Sequence, residues 1–277
     1  MASIAVPAEL AAELPVAERT APTFVADYPL AFVVPAYNEE DNLPRLFADL
    51  EARPWLFANS GCRVIIVDDG SSDRTPELVE SYSGALPVEL VRLDENQGPG
   101  AAFRAGFERA LRGTEDEAFI VTLEADTTSD LDALRPMLAE ASAGAELVLA
   151  SWTMVNVSRK RKMLSAGAAL VFRRALGIDA QTVSSFFRVY RASVLRKSFA
   201  HYGPDLMRER GFACKAEILA NMARLGARIA EVPVDLDSDR RIGKSKMPIF
   251  RTMVAYMRML ARQRRDRGEE LAGEVAA

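Results

Sequence analysis

The feature that most constrains this chain is an alternation. Between Leu30 and Ala150, short β-rich runs occur at Leu30–Val34, Arg63–Val67, Val88–Arg92, Phe119–Leu123 and Glu146–Ala150. Helix-like stretches separate them near Asn42–Glu51, Pro76–Ser83, Ala101–Leu111 and Leu131–Ala141, and several open on capping residues: Asn42 before Pro44, Thr75 before Pro76, and Asp130. Strands alternating with helices predict an α/β fold with a Rossmann-like, mostly parallel sheet covered on both faces. In such sheets ligands bind beyond the carboxyl ends of the strands, so the residues that follow each strand carry the functional information.

The flanking regions read differently. Residues 1–28 lack periodicity and read as a weakly ordered extension. After residue 150 the alternation loosens, with helices expected at Met163–Leu176, Ala213–Leu225 and Ile249–Gln263 and a strand near Arg228–Val234. No Pro/Gly/Ser-rich linker divides the chain, so residues 29–247 read as one domain. A basic amphipathic helix over 248–267 follows it, and residues 268–277 are expected to fray. The longest apolar run, Met163–Phe172, is about half of what a membrane span needs. Glu9, Glu13 and Glu18 and the lack of a basic leader argue against a signal peptide. Two distant cysteines, Cys62 and Cys214, give neither a disulfide framework nor a metal-ligand spacing, and the expected location is cytoplasmic, with a peripheral position at the inner membrane face as a variant. A single histidine, His201, leaves any chemistry to carboxylates, hydroxyls and cations.

Charge is unevenly distributed. Residues 1–150 hold 10 Lys+Arg against 27 Asp+Glu, and residues 151–277 hold 25 against 12, so a balance of −17 is followed by one of +13. The acidic half suits a metal ion and the basic half phosphate-bearing ligands or an anionic surface. Nucleic acid is not expected, because aromatic residues make up 8% of the chain and are not interleaved with the arginines.

Four strand ends carry polar motifs. The first runs into PAYNEE (Pro35–Glu40) and the second into VDDGSSDRT (Val67–Thr75), where Asp68 and Asp69 offer carboxylates to a base N–H or a ribose hydroxyl and Asp73 caps the next helix. After the third strand, three glycines in ENQGPGAAFRAGF could let backbone approach a diphosphate at a helix start, although the same spacing serves plain packing. The fourth ends in Glu124-Ala125-Asp126, two carboxylates that suit Mg2+ or Mn2+, which would also hold a nucleotide diphosphate.

With these motifs in order, followed by VSSFFRVYR (Val183–Arg191), GFACKAEIL (Gly211–Leu219) and RRIGKSKM (Arg240–Met247), the sequence resembles the family 2 glycosyltransferases of the GT-A fold. Within them it is similar to the dolichol-phosphate mannose synthase and polyprenyl-phosphate glycosyltransferase group, over roughly Leu30 to Leu260. The resemblance implies that Pro35, Tyr37, Glu39 and Asp69, with Asp68 and Gly98 nearby, hold the nucleotide sugar. It places Asp126, Glu124 and Thr128 at a metal on the donor diphosphate, and Glu124, Ala125 and Asp126 at the nucleotide sugar as well. Arg161, Lys162 and Ser165 would face an acceptor phosphate, and a basic loop with Arg241, Lys244 and Lys246 would close over both substrates. The chain departs from the family pattern at Glu124, where Asp is usual, at Thr128, Gln181 and Ser185, and at Ala150-Ser151-Trp152, where a phosphate-binding Arg is usual.

The implied activity is inverting, metal-dependent transfer of a hexose of the mannose or glucose type from a GDP- or UDP-sugar to a polyprenyl phosphate at the cytoplasmic membrane face. The alternative is a soluble glycosyltransferase acting on a hydroxyl of a small molecule, glycan or peptide. For the C-terminal helix two readings stand level. Phe250, Met253, Val254, Met257 and Leu260 either meet a membrane surface, helped by the arginines around them, or pack on the core.

Overall fold

The computed structural model describes residues 29–58, 61–153, 182–183, 185–235 and 249–276. The extension 1–28, the expected helix Met163–Leu176 and the expected phosphate-binding residues Arg161, Lys162, Ser165, Arg241, Lys244 and Lys246 lie outside them.

Seven strands form one sheet: β1 (Leu30–Ala36), β2 (Arg63–Asp68), β3 (Val88–Arg92), β4 (Phe119–Thr122), β5 (Leu147–Thr153), β6 (Arg188–Arg191) and β7 (Ile229–Asp235). Their order is β3-β2-β1-β4-β6-β5-β7. β1 pairs in parallel with both β2 and β4, Val33 lying opposite Ile65 on one side and Thr122 on the other. All five strands read from the alternation are present. β6 is the one antiparallel member, wedged between β4 and β5. Its four residues lie within the FFRVYR run, and its fully buried Arg188 breaks the apolar signature of a central strand.

The described helices are α1 (Leu43–Glu51), α2 (Thr75–Glu80), α3 (Pro99–Leu111), α4 (Leu134–Ser142), α5 (Ala192–Tyr202), α6 (Cys214–Arg224) and α7 (Ile249–Ala276). Alternate residues of β1 serve opposite faces of the sheet, as the strand period requires. Ala31 and Val33 belong to the core cluster that holds Phe103 and Phe107 of α3 together with residues of α5, α6 and α7. Leu30, Phe32 and Val34 pack with Leu46 and Leu50 of α1, Val79 of α2 and Leu138 of α4. The second half of the chain therefore extends the first half's sheet and core, as expected of a single domain.

Three local expectations change. Asn42 sits at the N-cap of α1 without bonding the helix N–H groups; its amide instead donates to Glu39 Oε2 at 2.6 Å. α7 continues to Ala276, through the segment expected to fray, because Glu269, Leu271, Ala272 and Glu274 are strong helix formers. The apolar positions of α7 also divide: Leu260 is buried in the core while Phe250, Met253, Val254 and Met257 face solvent. α5 was not anticipated from the sequence.

Strand order locates the site. From β1 the chain moves outward through β2 to β3, then returns to place β4 on the other side of β1. The loops after β1 and β4 therefore leave in opposite directions and open a crevice at the carboxyl edge, as at the switch point of any open α/β sheet.

Candidate active site

A cleft of about 940 Å³ occupies that crevice, within the size range of small-molecule sites. One wall comes from the strand ends and carries Tyr37, Glu39, Asp41, Asp69, Glu124 and Asp126. The facing wall comes from residues 208–212 and the first turns of α7, and carries Arg208, Arg210, Arg251, Arg258 and Arg262. The acidic and basic halves of the sequence thus meet across one cavity.

The loop after β1 is held by the loop after β2. Asn38, at φ 52, donates its N–H to Ser71 Oγ at 2.8 Å and accepts from Ser72 N at 2.9 Å. Glu39 N donates to Thr75 Oγ1 at 2.8 Å, and Glu40 N to Asp73 Oδ2 at 3.1 Å. Asp73 also accepts from Thr75 N at 2.9 Å, the capping role expected of it. These bonds fix the backbone that presents Pro35, Tyr37 and Glu39 to the cleft.

The two aspartates after β2 separate in role. Asp68 is fully buried and does not line the cleft; it accepts from Ser71 N at 3.0 Å and lies 3.4 Å from Arg92 Nε. Asp69 lines the cleft and accepts from Gln97 N at 2.8 Å and Gly98 N at 2.9 Å. Burial raises its carboxyl above the usual range, against those two N–H bonds and with a small push from Asp68. The expectation that Asp68 and Asp69 act together on a ligand is thus replaced by a turn-holding Asp68 and an Asp69 that bridges cleft and loop.

The glycine-rich turn is built for packing. A Cβ on Gly98 would lie 2.6 Å from Arg210 O, and one on Gly100 would lie 2.2 Å from Glu209 O. Gly100 N donates to Arg210 O at 2.7 Å. The backbone that comes close at the start of α3 is therefore the protein's own 209–210 segment, although Gly98 still borders the cleft.

After β4, Leu123, Glu124, Ala125 and Asp126 form the floor. Asp126 is buried, and its Oδ1 accepts from Thr128 N at 3.1 Å and Thr128 Oγ1 at 2.7 Å. Between them Thr127 sits at φ 60, a left-handed conformation that costs a β-branched residue about 1–3 kcal/mol and clusters at functional sites. Thr128, expected beside a metal, aims the Asp126 carboxylate. Among the described residues no three His, Cys, Asp or Glu side chains converge on a cation position. The donor set fits a hard divalent ion only if ligand oxygens complete it, which is how Mg2+ is usually bound with phosphates.

The basic wall was not read as part of the site. Glu209 and Glu217 are both buried; Arg262 Nη2 lies 2.6 Å from Glu209 Oε1 and 3.0 Å from Glu217 Oε1. Arg258 adds bonds of 3.2 and 3.3 Å to Glu209. Glu217 also accepts from Glu209 N at 2.7 Å, yet burial keeps its carboxyl above the usual range. This network clamps α7 to α6, through Glu217, and to the segment ahead of it, through Glu209. The sequence signal was Arg258 and Arg262 at i,i+4 on the α7 helix, with nothing to name their partners. Phe103 and Phe186 also line the cleft; Phe186 stacks on Phe103 at 4.3 Å, and Lys215 Nζ lies 4.2 Å from the Phe186 ring.

Residues 31–199 match the family described as Glycosyl transferase family 2. The chain is 32% identical over 221 residues to an undecaprenyl-phosphate mannosyltransferase of Micrococcus luteus, covering 78% of this chain and 86% of that one. It is 29% identical over 223 residues to a polyprenol monophosphomannose synthase of Mycolicibacterium smegmatis, covering 78% and 79%. In fold it is similar to glucosyl-3-phosphoglycerate synthase of Mycobacterium tuberculosis, crystallised with Mn2+, UDP and glucosyl-3-phosphoglycerate. That TM-score is 0.61 at 17% identity, over 86% of this chain and 80% of that one.

Proposed function

This chain belongs to glycosyl transferase family 2 and is a glycosyltransferase that uses a nucleotide-sugar donor, and from that premise we propose that it transfers a hexose, of the mannose or glucose type, to a polyprenyl phosphate at a membrane surface. The observation that carries the reading is the two-sided cleft. Carboxylates at the ends of β1, β2 and β4 face arginines of residues 208–212 and α7. The likeness to an undecaprenyl-phosphate mannosyltransferase and a polyprenol monophosphomannose synthase supports the choice of acceptor.

In this reading Pro35, Tyr37, Glu39 and Asp69 take the nucleoside end of the donor, and Asp126 with Glu124 faces its diphosphate. A divalent cation, Mg2+ or Mn2+, bound there would supply positive charge against the departing nucleoside diphosphate. Thr128 holds Asp126 in place for this, at 2.7 Å. The second pKa of a phosphate monoester is near 6, so at neutral pH the acceptor oxygen is already anionic and needs no base. That oxygen attacks the anomeric carbon from the face opposite the leaving group, its new C–O bond replacing the bond to the diphosphate with inversion. The arginines hold the incoming phosphate in line and offset its charge. Glu209, the carboxylate on their side, is engaged by Arg258 and Arg262 rather than presented to an acceptor hydroxyl. Arg161, Lys162, Ser165 and the basic residues Arg241, Lys244 and Lys246 are proposed to add to the acceptor and donor phosphate contacts.

The test is nucleoside diphosphate release by purified protein across GDP- and UDP-sugars, with Mg2+, Mn2+ or EDTA, and with or without a short polyprenyl phosphate. Release that needs both metal and prenyl phosphate, and falls at least about 100-fold in Asp126→Asn, is the expected result. Release indifferent to the lipid would move the acceptor to a soluble hydroxyl, and no release with any donor would overturn the catalytic reading.

A further inference from the structure

Phe250, Met253, Val254 and Met257 are 79%, 61%, 48% and 66% exposed, and they are the exposed large apolar side chains of the described residues. Their spacing, i, i+3, i+4 and i+7, places them on one stripe of α7. The opposite side of the same turns is buried: Thr252, Ala255 and Met259 face the protein. At about 100° per residue, Arg251 and Arg258 fall between the two, and both line the cleft. One helix therefore has a packed side, a cleft side edged by arginines, and an apolar side facing outward.

We propose that the first three turns of α7 dock on a lipid bilayer containing anionic lipid, with the apolar stripe among the acyl chains and Arg251 and Arg258 at the level of the lipid phosphates. This deepens the reading of a polyprenyl-phosphate acceptor and rests on it for the identity of the molecule that enters the cleft. The charge of the helix chooses the occupant. From Ile249 to Arg265 there are five arginines and no acidic residue. Exposed Arg264 and Arg265 continue the stripe side beyond Met257. A cationic rim around a narrow apolar strip matches an anionic interface. Four side chains fall well short of the roughly 20–30 residues a side that a stable protein interface uses. No described helix is long and apolar enough to cross a membrane, so the contact is lateral. The consequence is geometric: the cleft opens through its arginine edge onto the headgroup plane, where a lipid-borne phosphate lies, while the donor enters from the strand-end side.

The experiment compares the full chain with a triple variant, Phe250→Ser, Met253→Ser and Met257→Ser, whose substituted side chains touch neither core nor cleft. Vesicle flotation is measured on phosphatidylcholine alone and with about a quarter phosphatidylglycerol. The native chain is expected to float with the anionic vesicles, to release with salt, and to lose at least about tenfold in partitioning in the variant at an unchanged thermal midpoint. With a short, water-dispersed prenyl phosphate the variant keeps native turnover; with a long-chain acceptor embedded in vesicles it loses about tenfold or more. Equal flotation of the two proteins, or failure of the native chain to bind anionic vesicles, overturns the proposal. So does a self-association in solution that the same substitutions abolish. Stripe-dependent flotation with no turnover of any prenyl phosphate upholds the docking surface and refutes the acceptor reading instead.

Discussion

Gly100→Ala separates two roles for the glycine-rich turn. If the turn exists to let α3 meet the 209–210 segment, the added methyl lands 2.2 Å from Glu209 O and 3.1 Å from Arg210 Cα. Both are backbone atoms, so no rotamer change relieves the contact, and the segment must retreat by about 1 Å. That strains the 2.7 Å bond from Gly100 N to Arg210 O, worth about 1 kcal/mol. Overpacking adds about 1–3 kcal/mol, and better helix propensity returns about 0.5–1 kcal/mol. The expected net loss is about 1–3 kcal/mol, a fall in thermal midpoint of roughly 3–9 °C. Urea unfolding at constant m-value measures it, with Gly211→Ala as control, since a Cβ there meets nothing within 4 Å. An unchanged or raised midpoint for Gly100→Ala, with donor KM alone increased, would refute the packing argument and restore the turn to diphosphate binding.

Other outcomes follow from the same geometry. Arg262→Met leaves buried Glu209 and Glu217 short of a cation and is expected to cost about 3–5 kcal/mol at pH 7 by chemical unfolding. Because burial raises the Glu217 carboxyl, the native state binds its proton more readily than the unfolded chain, so stability falls as pH rises through that titration; the deficit of the variant should therefore shrink on acidification toward pH 5. Thr128→Val removes the 2.7 Å bond to Asp126 Oδ1 and should weaken Mn2+ affinity about tenfold by titration calorimetry, with little change in midpoint. Burial pushes the Cys214 thiol from an ordinary 9.0 up to about 12, so native protein at pH 8 should not react at Cys214 with an alkylating reagent until urea unfolds it. With the folded pKa the higher one, that thiol's contribution is intact below pH 9 and erodes as pH rises toward 12.

Period and punctuation made much of this protein legible in its sequence. The five strands of the first half, the helices between them and the carboxylates at their ends depend on local spacing, which fixes which residues stand at a carboxyl edge. Residues 35–39 of PAYNEE, Asp69 and Glu124-Ala125-Asp126 are legible that way, and all of them line the cleft. β6 escaped because four residues around a buried arginine carry no period of their own, and its place depends on β4 and β5 to either side.

What tertiary structure alone decided concerns pairs of residues far apart in the chain. Sequence could offer Asp68 and Asp69 as equivalent carboxylates; folding turned one toward Arg92 and the other toward the cleft. It could read three glycines as room for a ligand, whereas the chain fills that room with residues 209–210 at Gly98 and Gly100 and with Val33 and Val67 at Gly106. It could count a basic second half, but the match of Arg262 to both Glu209 and Glu217 depends on α7 packing against α6 and the segment ahead of it. Most of all, five apolar positions at helical spacing say that a helix has an apolar face without saying what covers it. Packing took Leu260 into the core and left Phe250, Met253, Val254 and Met257 outside, because a helix packed against α6 and the segment ahead of it buries only the side turned toward them.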